Sequence, residues 1–243
     1  MKLNAFQKTA ITTVGATLFL ILVGGLVRAA GAGLGCPDWP KCFGMWVPPT
    51  SLADLPAGFD ASQFNVYKTW IEYLNRLVGV VIGLLITATF LLSIRYRKKK
   101  PTVFYSSAAA FVLVLFQGWL GGVVVKTGLH EGLITAHMLV AMVIVTTLLY
   151  ATFEATSDFF KVRIEERFRK KVLWTMWILF GLTMIQLVLG TQVREAIDVI
   201  KEVANVPPRS LWIDQVGAMF PIHRSFSWLV ILAGVFLFYL LKK

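Results

Sequence analysis

Six stretches of the chain run apolar for about the length that crosses a bilayer, roughly twenty residues each: 8–28, 69–94, 102–125, 131–153, 172–193 and 219–241. Between them the sequence turns polar, and the cations gather in alternate connections. Five follow the second stretch (Arg95, Arg97, Lys98, Lys99, Lys100), six lie between Lys161 and Lys171, and Lys2, Lys8, Lys242 and Lys243 flank the outermost stretches. These 15 of the 24 Lys and Arg mark the cytoplasmic side by the positive-inside rule. The pattern predicts an all-α integral membrane protein with six transmembrane helices, multi-pass in a plasma (inner) membrane. Both termini are expected in the cytoplasm, and the long loop 29–68 outside. Ala30 and Ala32 follow the first stretch in a small-residue pattern that a signal peptidase would accept. The end of that stretch nevertheless matches the ends of two others, so it is expected to stay.

That match is an internal repeat. A glycine, two residues, a valine and a cation close the first, third and fifth stretches: Gly24 to Arg28, Gly122 to Lys126 and Gly190 to Arg194. Each apolar stretch that follows carries polar groups toward its outer end: Glu72, Asn75 and Arg76, then His137, then His223 and Arg224. A repeat unit of four helices accounts for this, with a first unit at 1–153, a basic cytoplasmic linker at 154–171 and an incomplete second unit at 172–243. The expected architecture is a four-helix bundle plus the first two helices of a second repeat. Gln117 and Gln186 support the repeat weakly, because their spacing to the motif glycine differs by one.

Composition then narrows the partners. Hydrophobic residues make up 57% of the chain, too many for an ordinary soluble domain. The net charge of +11 would by itself suggest nucleic acid, but its confinement to membrane-flanking loops excludes that reading. The expected environment is a lipid bilayer. No Walker motif, nucleophile elbow, dinucleotide fingerprint or HExxH pattern is present.

Glu72, Asn75, Arg76, Gly79 and Gly83 share one helix face, and such a polar stripe turns toward a bundle interior because a charge at the lipid-facing centre of a helix costs about 2.5 to 3.5 kcal/mol. Glu72 and Arg76 either pair with each other at i and i+4 or line a functional pocket. His137 and His223 occupy similar places in different repeats, as ligands of a metal-centred cofactor or as donors to a neighbouring carbonyl. His130, beside Glu131 in a short loop, reads as solvated. Cys36 and Cys42 lie close together in the outside loop, where oxidising conditions permit a disulfide. They read as a structural staple or as a redox-active pair.

The loop Gly31-Ala-Gly-Leu-Gly-Cys-Pro-Asp-Trp-Pro-Lys-Cys-Phe-Gly, preceded by Gly24-Gly25-Leu26-Val27-Arg28, closely resembles the first periplasmic loop of the heme A synthase family. Glu72 with Arg76, Ala136-His137 and Ile222-His223-Arg224 resemble its other landmarks. The resemblance implies eight helices in two four-helix halves, one holding the substrate heme O and the other a resident heme b. It implies oxidation of the C8 methyl of heme O to a formyl group, for heme A biosynthesis and cytochrome oxidase assembly. Carried over, His137 is an axial ligand on the substrate side, His223 a ligand of heme b, and Glu72 the carboxylate near the reacting methyl. The Cys36 and Cys42 pair is the redox-linked disulfide loop. Arg28, Arg76 and Arg224, near the outer face, are expected to neutralise heme propionates. Partners implied are heme O synthase and cytochrome oxidase assembly factors, and a homo-oligomer is compatible with the pattern.

Two departures matter. Where the family carries Glu-x-x-His-Arg, this chain has Glu72-Tyr-Leu-Asn75-Arg76, so the first site is expected to be five-coordinate through His137, with Asn75 beside the open position. Helices seven and eight are missing from this sequence, as expected of either a truncated chain or a short homologue. The alternatives to an enzyme are a non-catalytic b-type cytochrome or heme carrier, and a small transporter. Parallel orientation of the two units and polar groups at the outer ends argue against the transporter.

Overall fold

A computed structural model describes residues 3–159, 166–202 and 206–242. Six long helices are apolar enough to cross a membrane: α1 (Ala5–Ala29), α2 (Val66–Ser93), α3 (Pro101–Lys126), α4 (Glu131–Thr156), α5 (Glu166–Glu202) and α7 (Met219–Lys242). A one-turn helix, α6 (Trp212–Gln215), lies between the last two. No β-strand occurs among the described residues, only an isolated bridge between Cys42 and Met45. The protein is an all-α integral membrane protein, as the apolar pattern predicts.

The helix boundaries follow local chemistry. Asn4 caps α1 by accepting from the Gln7 N–H, and the Gln7 side chain accepts from the Asn4 N–H in return, a capping box. Asn65 caps α2 by accepting from the Lys68 N–H. Pro101 opens α3, where its missing N–H costs nothing. Glu131 sits in the first turn of α4, where a carboxylate suits the positive end of the helix dipole.

The chain divides into two compact units, Met1–Phe160 and Lys161–Lys243. In the first, each helix packs on its sequence neighbours and α1 closes against α4, so α2 and α4 face each other along a diagonal of the bundle. Ile82, Ile86, Ala110, Ile144 and Leu148 fill the middle layer. Phe6, Ala10, Val103 and Ala155 fill the end of the bundle where α1 begins and α4 finishes, and there Gln7 Nε2 donates to the Ala155 carbonyl at 2.7 Å and ties α1 to α4. Between these layers the Thr13 and Thr89 hydroxyls meet at 2.9 Å, an interhelical hydrogen bond of the kind that holds helices together where lipid removes the hydrophobic driving force. Most large apolar side chains point outward, as lipid-facing helices require.

In the second unit α5 packs along α7. The sequence pattern ends the fifth span at 193, but the helix continues to Glu202. Two features extend it. Asp198 pairs with Arg194 at 3.0 Å and with Lys201 at 3.4 Å along one face, while Val193 and Ile200 pack with Val216 on another. The extension is amphipathic, so it lacks the unbroken apolarity that marks a span. Of the basic segment 154–171, residues 154–156 complete α4 and 166–171 open α5. Lys2, Lys161, Arg163 and Lys243 lie outside the described residues.

Candidate functional site

The long loop between α1 and α2 has a core of its own. Cys36 and Cys42 form a disulfide, and both are buried with Phe43 among Leu55, Phe59, Phe64 and Tyr73. The loop then lies directly on α2. Gly35 makes this possible, because a Cβ there would fall 2.3 Å from the Lys68 carbonyl oxygen. Thr69 donates its hydroxyl to the Gly35 carbonyl at 2.8 Å one turn before Glu72.

Glu72 is buried, with only 4% of its surface exposed. Its Oε2 accepts from the Cys36 N–H at 2.9 Å, and its Oε1 accepts from Arg76 Nε at 3.1 Å and from Arg76 Nη2. Of the two sequence readings, the i, i+4 pairing is therefore made, and it extends into the loop. Arg76 Nη1 donates to the carbonyls of Asp38 (2.7 Å) and Lys41 (2.9 Å), and Nη2 to that of Cys36 (3.2 Å). All five N–H groups of this anion-neutralising candidate are thus committed to protein acceptors. Asp38 completes the clamp from the other side by accepting from the N–H groups of Phe43 and Gly44. A carboxylate and a guanidinium of one helix turn hold both ends of the disulfide loop.

Trp39, inside that loop, reaches across to α3. A Cβ at Gly122 would stand 2.8 Å from Trp39 Cδ2, so the motif glycine of the third span is a seat for an indole. One residue earlier, Gly121 faces the His137 ring, with Cε1 3.3 Å from where a Cβ would be. The loop and the imidazole therefore approach α3 on consecutive residues.

His137 is half-buried on α4, and its Nδ1 is buried without a hydrogen-bond partner. Gln117 on α3 donates Nε2 to the backbone carbonyl of His137 at 2.9 Å, while Gln117 Oε1 is itself buried and unpartnered. On α2, Asn75 Oδ1 is likewise buried without a partner, 4.0 Å from where a Cβ on Gly24 would lie. Below it on the same face, a Cβ at Gly79 or Gly83 would touch nothing within 4 Å, although both residues are partly buried. Unsatisfied polar atoms and open space beside two glycines, on helices that face each other across a bundle, are the marks of a site built around a group larger than water.

The second unit repeats the arrangement. His223 is half-buried on α7, and its Nδ1 is buried without a partner. Gln186 on α5 donates Nε2 to the His223 carbonyl at 3.2 Å, its Oε1 again unpartnered, and Gly190 faces the ring with Cε1 3.1 Å from a virtual Cβ. Gln117 to Gly121 and Gln186 to Gly190 are both four residues. The apparent slip of one between the repeats arises from counting to Gly122, which serves Trp39. The signal was in the sequence, in a second glycine adjacent to the motif.

Arg28 lies half-buried in the last turn of α1. Arg224 is exposed beside His223, its guanidinium 5.7 Å from the Phe220 ring centroid. His130 is exposed at the N-cap position of α4, as its loop sequence suggests. No group of three or more His, Cys, Asp or Glu able to hold a metal ion occurs among the described residues, so neither His137 nor His223 belongs to such a cluster. The donor set fits a planar cofactor that brings its own four ligands to a metal and needs one side chain from the protein.

Comparison with known proteins agrees with this geometry. A family model described as cytochrome oxidase assembly protein, COX15-CtaA, matches residues 7–243. Heme A synthase of Shewanella oneidensis is 33% identical over 138 residues, covering 55% of this chain and 40% of its own. Those of Ehrlichia canis (31% over 148 residues; 52% and 42%) and Geobacillus kaustophilus (32% over 126 residues; 51% and 35%) are similar too. In each case the match spans about two-fifths of the relative's length. No solved structure matches. With a matched region that contains both histidine sites and the disulfide loop clamped between Glu72 and Arg76, the chain belongs to the cytochrome oxidase assembly protein family.

Proposed function

We propose that this protein is a heme A synthase-like membrane oxidoreductase, which oxidises the C8 methyl of heme O to a formyl group for heme A biosynthesis and cytochrome oxidase assembly. The observation that carries the reading is the twofold occurrence of one imidazole seat, Gln117–Gly121–His137 and Gln186–Gly190–His223, each ring with a buried, unpartnered Nδ1. His137 would hold the substrate heme O in the first unit, and His223 a resident heme b in the second. Bound heme iron supplies the oxidising chemistry.

The remaining roles belong to the chain. His137 offers one nitrogen to a metal from a helix pinned by Gln117, so the ring is fixed before a ligand arrives. Open space beside Gly79 and Gly83 takes the flat face of a macrocycle, and Asn75 presents a polar oxygen on the same side. Glu72 keeps its carboxyl group at the end of this stripe under the disulfide loop, where Arg76 and the Cys36 N–H hold it in place. Trp39 seats on Gly122, one residue from the glycine that faces His137, and so ties the disulfide loop to α3 beside the imidazole. Arg28 and Arg224 stand where heme propionates would meet the outer surface.

A second reading, a non-catalytic b-type cytochrome or heme carrier, is favoured by one observation: the Glu72 carboxylate is fully occupied by the loop and by Arg76. Extraction of the pigments from the purified protein separates the two. Heme O, hydroxylated heme O or heme A supports the enzyme, and heme b alone supports the cytochrome.

On this reading both termini lie in the cytoplasm of a plasma (inner) membrane and the disulfide loop lies outside, supported by the alternate gathering of cations along the sequence. After reduction, a thiol reagent that cannot cross membranes should label Cys36 and Cys42 in intact cells. Labelling only after lysis would reverse the orientation.

A further inference from the structure

Two hydrogen bonds in different units are the same bond. Gln117 Nε2 reaches the carbonyl of His137, and Gln186 Nε2 reaches the carbonyl of His223, each from the long helix before the histidine's own. In both, the glycine one turn after the glutamine faces the imidazole at a distance where no side chain fits without moving the ring. A helical carbonyl has two lone pairs and gives one to its own helix, so the second is free to accept from a neighbour without loosening the backbone. The bond therefore fixes how far each histidine helix is rotated and raised against its partner, and the glycine fixes where the ring then lies.

The first hairpin of the chain shows the same frame with different residues. Gly24 faces position 75 as Gly121 and Gly190 face the histidines, and the residue four before Gly24 is Leu20, which packs into the middle layer of the core. Where the frame carries no imidazole it carries no glutamine.

We infer that Gln117 and Gln186 are positioning residues for His137 and His223, each acting through the histidine's backbone carbonyl, with Gly121 and Gly190 as the seats of the rings. The inference rests on the proposed heme ligation for its functional meaning, but its geometry concerns the imidazoles alone.

Methionine keeps the length and bulk of glutamine without the N–H donor, so Gln117→Met and Gln186→Met separate the hydrogen bond from packing. The full chain is purified, labelled with nitrogen-15 at histidine, and measured twice: by electron paramagnetic resonance and heme content as isolated, and by histidine nitrogen NMR after heme removal. Gln117→Met should move the His137 resonance and leave that of His223 in place, and Gln186→Met should do the reverse. Each should alter the resonance of one heme and not the other, with about a 10-fold loss of affinity at that site, the lower end for loss of an outer hydrogen-bond partner of a ligand. Gly121→Ala and Gly190→Ala should produce the same pairings, whereas Leu20→Met should move neither histidine line. Histidine shifts in a protein that holds no heme would sustain the positioning role while refuting the heme assignment. Unchanged histidine lines and heme resonances in both methionine variants would overturn the inference, whatever hemes are bound.

Discussion

The hairpin α1–α2 and the hairpin α3–α4 belong to one bundle and share a glycine opposite a polar residue, yet they meet the interior in opposite ways. In α3–α4 the polar residue is an imidazole, tied at its backbone by Gln117 and presented with a bare nitrogen. In α1–α2 it is Asn75, which lies along the helix between Glu72 and Arg76, a carboxylate and a guanidinium that hold a loop. On the proposed function one hairpin offers a ligand, while the other anchors a loop. The contrast teaches that the polar stripe on α2 does two things: Glu72 and Arg76 hold the loop between α1 and α2, while Asn75 leaves a polar oxygen unpartnered and Gly79 and Gly83 leave open space.

The largest expected effect comes from removing the ligand. His137→Ala should abolish heme O oxidation and empty the first site, while His223→Ala should empty only the second. Heme extraction and spectra of each variant check this, and loss of both hemes from either one would break the independence of the two units.

The comparison is sharpened by making the hairpins alike. A site with one imidazole leaves an iron position open to small ligands, whereas two imidazoles close it. The unmodified protein, once reduced, is expected to bind carbon monoxide at its first site. Asn75→His should suppress that binding and give a low-spin spectrum, since Gly24 leaves space for a ring. Adding Leu20→Gln should strengthen the change by supplying the missing tie. A low-spin, carbon-monoxide-insensitive first heme in the unmodified chain would show that some other side chain already fills the position.

The anchor can be broken without touching the ligand. Arg76→Ala leaves the buried Glu72 carboxylate without its partner and frees the carbonyls of Cys36, Asp38 and Lys41, and loss of one partner from a buried pair costs about 3 to 5 kcal/mol. Thermal unfolding should register it, and the double variant with Glu72→Ala should recover part of the loss. Glu72→Gln keeps the shape and is expected to reduce oxidation while leaving heme bound.

The sequence made the membrane class and the spans legible, because twenty apolar residues in a row have few other uses. It made His137 and His223 legible because imidazoles are rare in such segments. It hid the glutamine ties, because a bond from a side chain to a backbone carbonyl leaves no mark on the acceptor residue: any residue at 137 has that carbonyl. It also merged two adjacent glycines into one motif, although Gly121 serves a ring on α4 and Gly122 an indole from the loop. The end of α5 was hidden for the opposite reason. Charged residues interrupt the apolar run after 193, but their i, i+4 spacing and the packing of Val193 and Ile200 along the neighbouring face build an amphipathic helix.

The smallest effect should come from the disulfide. Closing a loop of so few residues stabilises the folded chain by roughly 2 kcal/mol, and the Cys36–Cys42 loop is also held by Glu72, Arg76, Thr69 and the fit of Gly35 on α2. A loop fixed at so many points keeps its fold when one of them is removed. Replacing both cysteines by serine should therefore lower the unfolding temperature slightly and leave both hemes bound, since neither sulfur lies among the residues that face the imidazoles. If the pair also relays electrons, oxidation of heme O falls in the same variant while heme content holds. Loss of heme from the serine variant would mean that the loop acts as part of the pocket wall, and the division of α2 into an anchor and a pocket would have to be redrawn.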